Sequence, residues 1–303
     1  MTNAEFSDAF TTLLNSYNTS ARFGDQASRN EIVLDEYEKS VLLTQAQDLI
    51  VKSYFDGSMN AQGQGFDDSN RRQMDFSSLI KVATLTSTTN QSSTFDKRGM
   101  IYQLPRKTIN GVEVDNTTDV LFILNERLEH HTPAVWRKTG QSPVVGAYTQ
   151  TAATSLGTYS SISQAEADGW VWTHEKDKTY VIVPISYKEY DREMSKPYAQ
   201  PLKKQAWRLF QNQATGFDIN TELIPRFNVP TYAGATFIYK IRYVKRPRPI
   251  ILEDLPDDLE IDGETQESSC ELNPIVHIDI LNKAVDLAVA TRGVKPQTVN
   301  QQQ

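Results

Sequence analysis

The chain has 303 residues, a formal net charge of −7, a pI near 5.2 and a mean hydropathy of −0.49. That acidic balance argues against wrapping nucleic acid by broad phosphate neutralisation, and no apolar run reaches the about 18 residues that a membrane-crossing helix needs. Cys270 is the only cysteine, which excludes an intrachain disulfide and a cysteine-built zinc site. The length accommodates two domains, or one domain with a large insertion. Only 39% of the residues are hydrophobic, so the chain carries long polar segments or completes its burial in an assembly. The opening stretch "MTNAEFSDAFTTLLNSY" lacks the basic and apolar regions of a secretory signal. A soluble protein made in a cytoplasm is expected.

Over residues 4–17, Phe6, Phe10, Leu13, Leu14 and Tyr17 fall on one helical face. In "LDEYEKSVLLTQAQDLIVKSYFDG", Asp35 and Glu38 give an Asp-x-x-Glu start signal. Leu42, Ala46, Leu49 and Ile50 form its apolar stripe and Gly57 its stop. "GSMNAQGQGFDDSNRRQ" reads as a linker or loop. From there to about residue 235 the pattern is strand-like, with strands expected at Leu79–Leu85, Met100–Leu104, Val120–Leu128, Trp170–Thr173 and Tyr180–Ile185. "TQTAATSLGTYSSIS" reads as exposed loop, and "SYKEYDREMSKPYAQPLKKQAWRLFQNQ" as helix broken by Pro197 and Pro201. A strand follows at Thr236–Val244.

The last helix is expected over Asn273–Arg292, with Asn273 as N-cap and Pro274 in the first turn. His277, Leu281, Ala284, Val285 and Ala288 recur there at helical spacing. The expected fold class is α+β, a helical core built from N- and C-terminal helices with a large β-rich insertion between them. Its parts are an N-terminal helix and polar arm at 1–29, core helix at 30–57, insertion at 58–235, and strand, arm, acidic loop and helix at 236–303.

Catalytic signatures are missing. His130 and His131 are adjacent, so in a strand they point to opposite faces, and His174 and His277 lie far off in sequence. "GQGF" at Gly63–Phe66 lacks the third glycine of a dinucleotide fingerprint. No P-loop, nucleophile elbow or zincin pattern occurs. Trp170 and Trp172 share one strand face, which suits either a sugar-binding platform or plain packing. The acidic surroundings of Cys270 would raise its thiol pKa rather than activate it. No catalytic, cofactor-binding or metal residues are assigned, no cofactor is expected, and the chain is read as a non-enzyme.

The charge pattern is most uneven in "YKIRYVKRPRPIILEDLPDDLEIDGETQESSCELNP", where Lys240, Arg242, Lys245, Arg246 and Arg248 stand directly before a run of carboxylates. Alternation puts Phe237, Tyr239, Ile241 and Tyr243 on one strand face and Ile238, Lys240, Arg242 and Val244 on the other. Pro247 and Pro249 stiffen the exit into an extended arm. The favoured reading is docking between subunits, with the basic residues of one copy meeting Asp254, Asp257 and Asp258 of the next. Intrachain pairing on a solvated surface and contact with DNA remain open alternatives.

Two long stretches also carry a family likeness: "LDEYEKSVLLTQAQDLIV", and "YVKRPRPIILEDLP" with "CELNPIVHIDILNKAVDLAVATR". With "PISYKEYDREMSKPYAQPLKKQAWRL" they resemble the head–tail connector (ring or adaptor) proteins of crAss-like tailed phages, which are podoviruses. The resemblance implies a virion protein present in the host cytoplasm during assembly and then at the portal vertex. It implies a dodecameric ring between the portal protein and neighbouring tail rings. DNA would pass through the lumen during genome ejection without sequence-specific contact, and no membrane is involved. The core contributed by Leu42, Ala46, Leu49, Ile50, Leu281, Ala284, Val285 and Ala288 would then be a connector core. The rival reading is a carbohydrate- or receptor-binding β-module of a phage tail, with function on the insertion's aromatics.

Overall fold

The computed structural model describes residues 1–20, 33–55, 70–87, 99–109, 112–131, 135–141, 144–145, 159–173, 178–196, 200–212, 219–225, 236–256 and 258–291. In chain order its helices are α1 (Asn3–Ser20), α2 (Glu36–Phe55), α3 (Asn70–Asp75), α4 (Ile162–Ala167), α5 (Tyr187–Met194) and α6 (Pro274–Thr291). The strands are β1 (Ile80–Thr86), β2 (Met100–Gln103), β3 (Arg106–Ile109), β4 (Val112–Thr118), β5 (Val120–His131), β6 (Val135–Arg137), β7 (Val144–Val145), β8 (Val171–Thr173), β9 (Lys178–Pro184), β10 (Gln205–Asn212), β11 (Ile219–Pro225) and β12 (Thr236–Lys245). The protein is α+β. It divides into one unit made of 1–80 with 245–303 and a second made of 81–244, so β12 falls, except for its last residue, in the unit that holds the sheet.

In the first unit α6 packs against both α1 and α2. The side chain of Asn273 accepts from the backbone N–H of Ile275 at 3.2 Å, satisfying a donor that an uncapped helix would leave orphaned. The helix then buries Val276, His277, Ile280, Leu281, Ala284, Val285 and Ala288. From α1, Phe6, Phe10 and Leu14 bury one stripe at i, i+4, i+8. Asp35 caps α2 as expected, its Oδ1 accepting from the N–H of Glu38.

The face that α2 buries is rotated from the expected stripe. Lys39, Ser40, Leu43, Thr44, Ala46, Gln47, Ile50 and Val51 are buried, whereas Leu49 is 42% exposed and Leu42 only half-buried. The rotation has a polar cause. Ser40, Thr44 and Gln47 follow one line along the helix and meet the extended strap at residues 248–252. The N–H of Leu252 donates to Ser40 Oγ at 3.0 Å, and that of Ile250 to Thr44 Oγ1 at 3.0 Å. Gln47 Nε2 donates to the carbonyl of Arg248 at 2.7 Å. Between these, Ile251 exchanges both backbone hydrogen bonds with Ser268 at 3.0 Å each. The strap is buried on both sides, so its backbone groups need these partners.

Beyond the strap the acidic segment is an ordered excursion anchored by apolar residues. Ile251, Leu255 and Ile261 pack together with Tyr37, Val41 and Leu259. A bridge joins Ile261 to Glu264 across Asp262 and Gly263, whose φ values of 52° and 82° are those of a type I′ turn. Leu255 N–H donates to the carbonyl of Thr265 at 2.8 Å, closing the base of the excursion.

The second unit holds a seven-stranded sheet of order β1-β12-β5-β9-β10-β11-β2, with β9 and β10 parallel. A two-stranded sheet pairs β3 with β4, and a three-stranded one runs β7-β6-β8. One face of the large sheet carries the main core, including Tyr102, Leu128, Ile182, Leu223, Tyr239 and Ile241. The segment read as broken helix is only partly so. A capping box at Ser186 and Glu189 starts the short α5, and β10 follows. In β10, Ala206 faces the main core while Trp207 and Leu209 pack beneath Tyr190 of α5. With Ala206 buried on one face and Trp207 and Leu209 on the other, the alternation that marks a half-exposed strand does not show.

Leu43→Ala, at a site with no exposure, is expected to cost about 2–5 kcal/mol, and Leu49→Ala no more than about 0.5 kcal/mol. Chemical denaturation of the two variants checks this, and equal losses would place the buried face of α2 elsewhere.

Candidate functional site

Within the second unit, β12 presents Lys240 and Arg242 on the face opposite the main core. Lys240 Nζ lies 2.8 Å from Glu129 Oε2 on β5. Glu129 also receives Arg127 Nε at 2.8 Å and His131 Nε2 at 3.4 Å. The hydrogen bond from Lys240, more than any other effect, holds the Glu129 carboxyl below its ordinary range. Arg242 stays exposed. Around these residues lies an open depression of about 190 Å³, lined by Val82, Asn125, Arg127, Lys240, Ile241 and Arg242.

The remaining basic residues belong to the first unit and mostly brace the strap. Lys245 Nζ pairs with Glu271 Oε1 at 2.7 Å, and the other oxygen of Glu271 accepts from the backbone N–H of Arg248 at 3.2 Å. Arg248 Nη2 and Nε both reach Glu264 Oε2, at 2.8 and 3.1 Å, and Glu264 is only 2% exposed. Arg246 is exposed and favours the ionised form of Asp48, although burial is the larger effect and raises that carboxyl's pKa. Among the described residues, Glu129, Glu264 and Glu271 pair with the block inside the chain and Asp48 interacts with Arg246; none of them is among the three docking carboxylates that the sequence reading named. Of the three it named, Asp254 accepts from the N–H of Glu267 at 2.7 Å, Asp258 is exposed, and Asp257 lies outside the described residues.

A third constellation sits inside the large sheet. Tyr239 Oη donates to Glu126, whose other oxygen lies 3.3 Å from Arg208 Nε. Burial raises the pKa of both Glu126 and Tyr239. Both residues sit among core side chains, so the trio joins β5, β10 and β12 rather than serving a cleft. Sequence reading missed it because its members are far apart in the chain.

Among the described residues the tryptophans of the three-stranded sheet do not form an open platform. Trp136 and Trp170 are buried with Ala165 of α4, and Trp172 packs against them. His130 stacks on Phe237 with centroids 4.3 Å apart. Gly63–Phe66 and His174 lie outside the described residues. Among the described residues no three His, Cys, Asp or Glu side chains converge as metal ligands, and no helix is long and apolar enough to cross a membrane. Burial first, and then Glu271, pushes the Cys270 thiol up to about 11, and its Sγ donates to Gln47 Oε1 at 3.3 Å. The acidic surroundings read from sequence thus act in second place.

A family model described as phage tail ring protein 3/4 matches residues 1–150 and 156–300. The chain is 37% identical over 290 residues to Ring protein 4/5 of Bacteroides phage crAss001, covering 94% of this chain and 91% of that protein. It is 29% identical over 295 residues to Ring protein 3 of the same phage, covering 96% of each.

Two outcomes test the electrostatics of the first unit. Arg248→Ala leaves the buried Glu264 carboxylate without its counter-ion. The expected loss is about 1–3 kcal/mol, against no more than about 0.5 kcal/mol for the exposed Arg246→Ala; thermal unfolding compares them. His277 supplies a pH dependence. Its Nε2 donates to the carbonyl of Leu272 at 3.0 Å, leaving the Nδ1 lone pair facing the N-terminal ammonium of Met1 at 3.0 Å. Burial holds its pKa below the ordinary 6.5. As pH falls through 6.5 the unfolded histidine takes up a proton and the folded one does not, so stability is lost, by at most about 1.4 kcal/mol per pH unit. Melting between pH 7.5 and 5.5 should show a steeper fall in the native chain than in His277→Gln; equal slopes would remove His277 from the account.

Proposed function

Because this chain belongs to the phage tail ring protein 3/4 family, and is therefore a structural component of a crAss-like phage tail, we propose that it forms a closed ring of the head–tail connector. The observation that carries this is a match to ring proteins along nearly the whole chain, helices and sheet unit alike. The ring stands between the portal protein and the neighbouring tail rings and contains twelve copies. Subunits assemble in the host cytoplasm and end at the portal vertex, where DNA passes through the lumen during genome ejection.

The connector core is assigned to α1, α2, the strap and α6, and the insertion to the sheet unit. Both ends of the chain contribute to one unit, with α6 against α1 and α2, which supports that division. A net charge of −7 suits a channel that must let DNA slide, since carboxylates outnumber the cations that could clamp phosphates. A closed ring needs two different surfaces on each subunit that fit one another, a heterologous contact.

Native mass measurement should find a closed assembly, twelve copies of 34.3 kDa being about 412 kDa. Cryo-electron microscopy of virions should place it at the portal vertex. A chain that stays monomeric at high concentration and is absent from purified virions would overturn the reading.

A further inference from the structure

The face of the large sheet opposite the main core has two parts. In one, Val183, Trp207, Leu209 and Ile224 are packed beneath Tyr190 of α5. The other, on β1, β12, β5 and β9, is open. Strand alternation and pairing put Val82, Asn125, Arg127, Lys240, Arg242 and Val181 there, with Arg127 directly opposite Val181. Val82 is 68% and Val181 60% exposed. Glu129 is shared between Arg127 and Lys240, so with Arg242 this part of the face keeps a positive excess. Exposed apolar residues ringed by cations mark a surface that fits a protein partner with an acidic, partly apolar edge.

The chain itself carries such an edge. From Glu253 to Asp262 the exposed residues include Glu253, Asp254, Asp258, Glu260 and Asp262, and no Lys or Arg occurs between Arg248 and Lys283. The edge is preorganised, because Leu255 and Ile261 anchor it, Asp262 and Gly263 turn it tightly, and the Arg248–Glu264 pair locks its returning limb. A preformed loop binds without the ordering cost of a flexible one.

We propose that the open basic part of the large sheet in one copy receives the acidic hairpin 253–264 of the next copy. This rests on the ring reading above and gives that ring its heterologous contact. It also revises the docking expected from sequence. Lys245 and Arg248 belong to the strap, while Arg127, invisible as part of the block, joins Lys240 and Arg242 in the receiving surface. Opposite charges on the two surfaces steer association and fix register, and the valines are buried where phosphate would have no use for them.

The test compares the native chain with Arg127→Glu/Arg242→Glu, with Arg242→Glu alone, and with Glu253→Lys/Asp258→Lys/Glu260→Lys. All substituted residues are exposed, so circular dichroism should be unchanged, and melting should be unchanged except for a small fall where Arg127→Glu loses its pairing with Glu129. Each reversed variant should need about tenfold or more higher concentration for half-assembly in native mass or light-scattering measurements. A chain carrying both the Arg127/Arg242 and the Glu253/Asp258/Glu260 reversals should assemble again. If the reversed variants assemble as the native chain does, the contact lies elsewhere and the ring stands. If Arg242→Glu leaves assembly intact and abolishes binding to a DNA duplex, the surface is a phosphate site and the proposal fails. Failure of the native chain itself to assemble would instead overturn the ring reading.

Discussion

A buried extended strap is the constraint on which the first unit depends. Ile250 and Ile251 have no exposure, yet an isolated extended segment presents its backbone N–H and C=O groups unpaired, and each buried orphan costs about 1–3 kcal/mol. The chain solves this in two ways at once. Pro247 and Pro249 have no N–H to satisfy, and the amides between and beyond them find Glu271, Thr44, Ser40 and Ser268. The polar side chains on α2 are therefore buried because the strap is there, and the strap lies there because they receive it.

Charge follows the same logic. Glu264 and Glu271 are drawn to the strap by Arg248 and Lys245, so a dense basic block in an acidic chain becomes a set of short-range pairs. Pairs of this kind are weak evidence for net stability, since desolvation offsets much of the attraction. Their geometry specifies how the strap and the returning acidic segment meet. On β12 and β5, Lys240 and Arg127 share Glu129 instead, and Arg242 is exposed.

Much of this was legible in the residues. The caps at Asp35 and Asn273, the stripes of α1 and α6, and the alternation of β12 are local signals that tertiary packing did not override. The expected stripe of α2 holds at Ala46 and Ile50 and fails at Leu42 and Leu49, because apolar periodicity assumes that polar residues point outward; Ser40, Thr44 and Gln47, at spacings of four and three, are the signal that corrects it. Strand β10 reads as helix because it follows a charged run of helix-like composition, and its buried Ala206, Trp207 and Leu209 fall on both faces and mask the alternation. Opposite charges suggest docking, but the pairing partners Glu129 and Glu126 come from β5, a strand distant in sequence, and only the sheet order brings it beside β12.

The sheet unit begins with β1 and ends with β12, which are neighbours in the same sheet, and Val82 shares a depression with Lys240 and Arg242. Its first and last strands are therefore held side by side by the unit's own hydrogen bonds. To the helical unit the long middle of the chain is a loop whose ends are fixed in one sheet, and the entropy of closing a loop is set by how freely its ends wander and not by what is folded between them. Such a module can gain or lose loops at its far edges without loosening the helices. One helical frame can in this way carry differently shaped inserts.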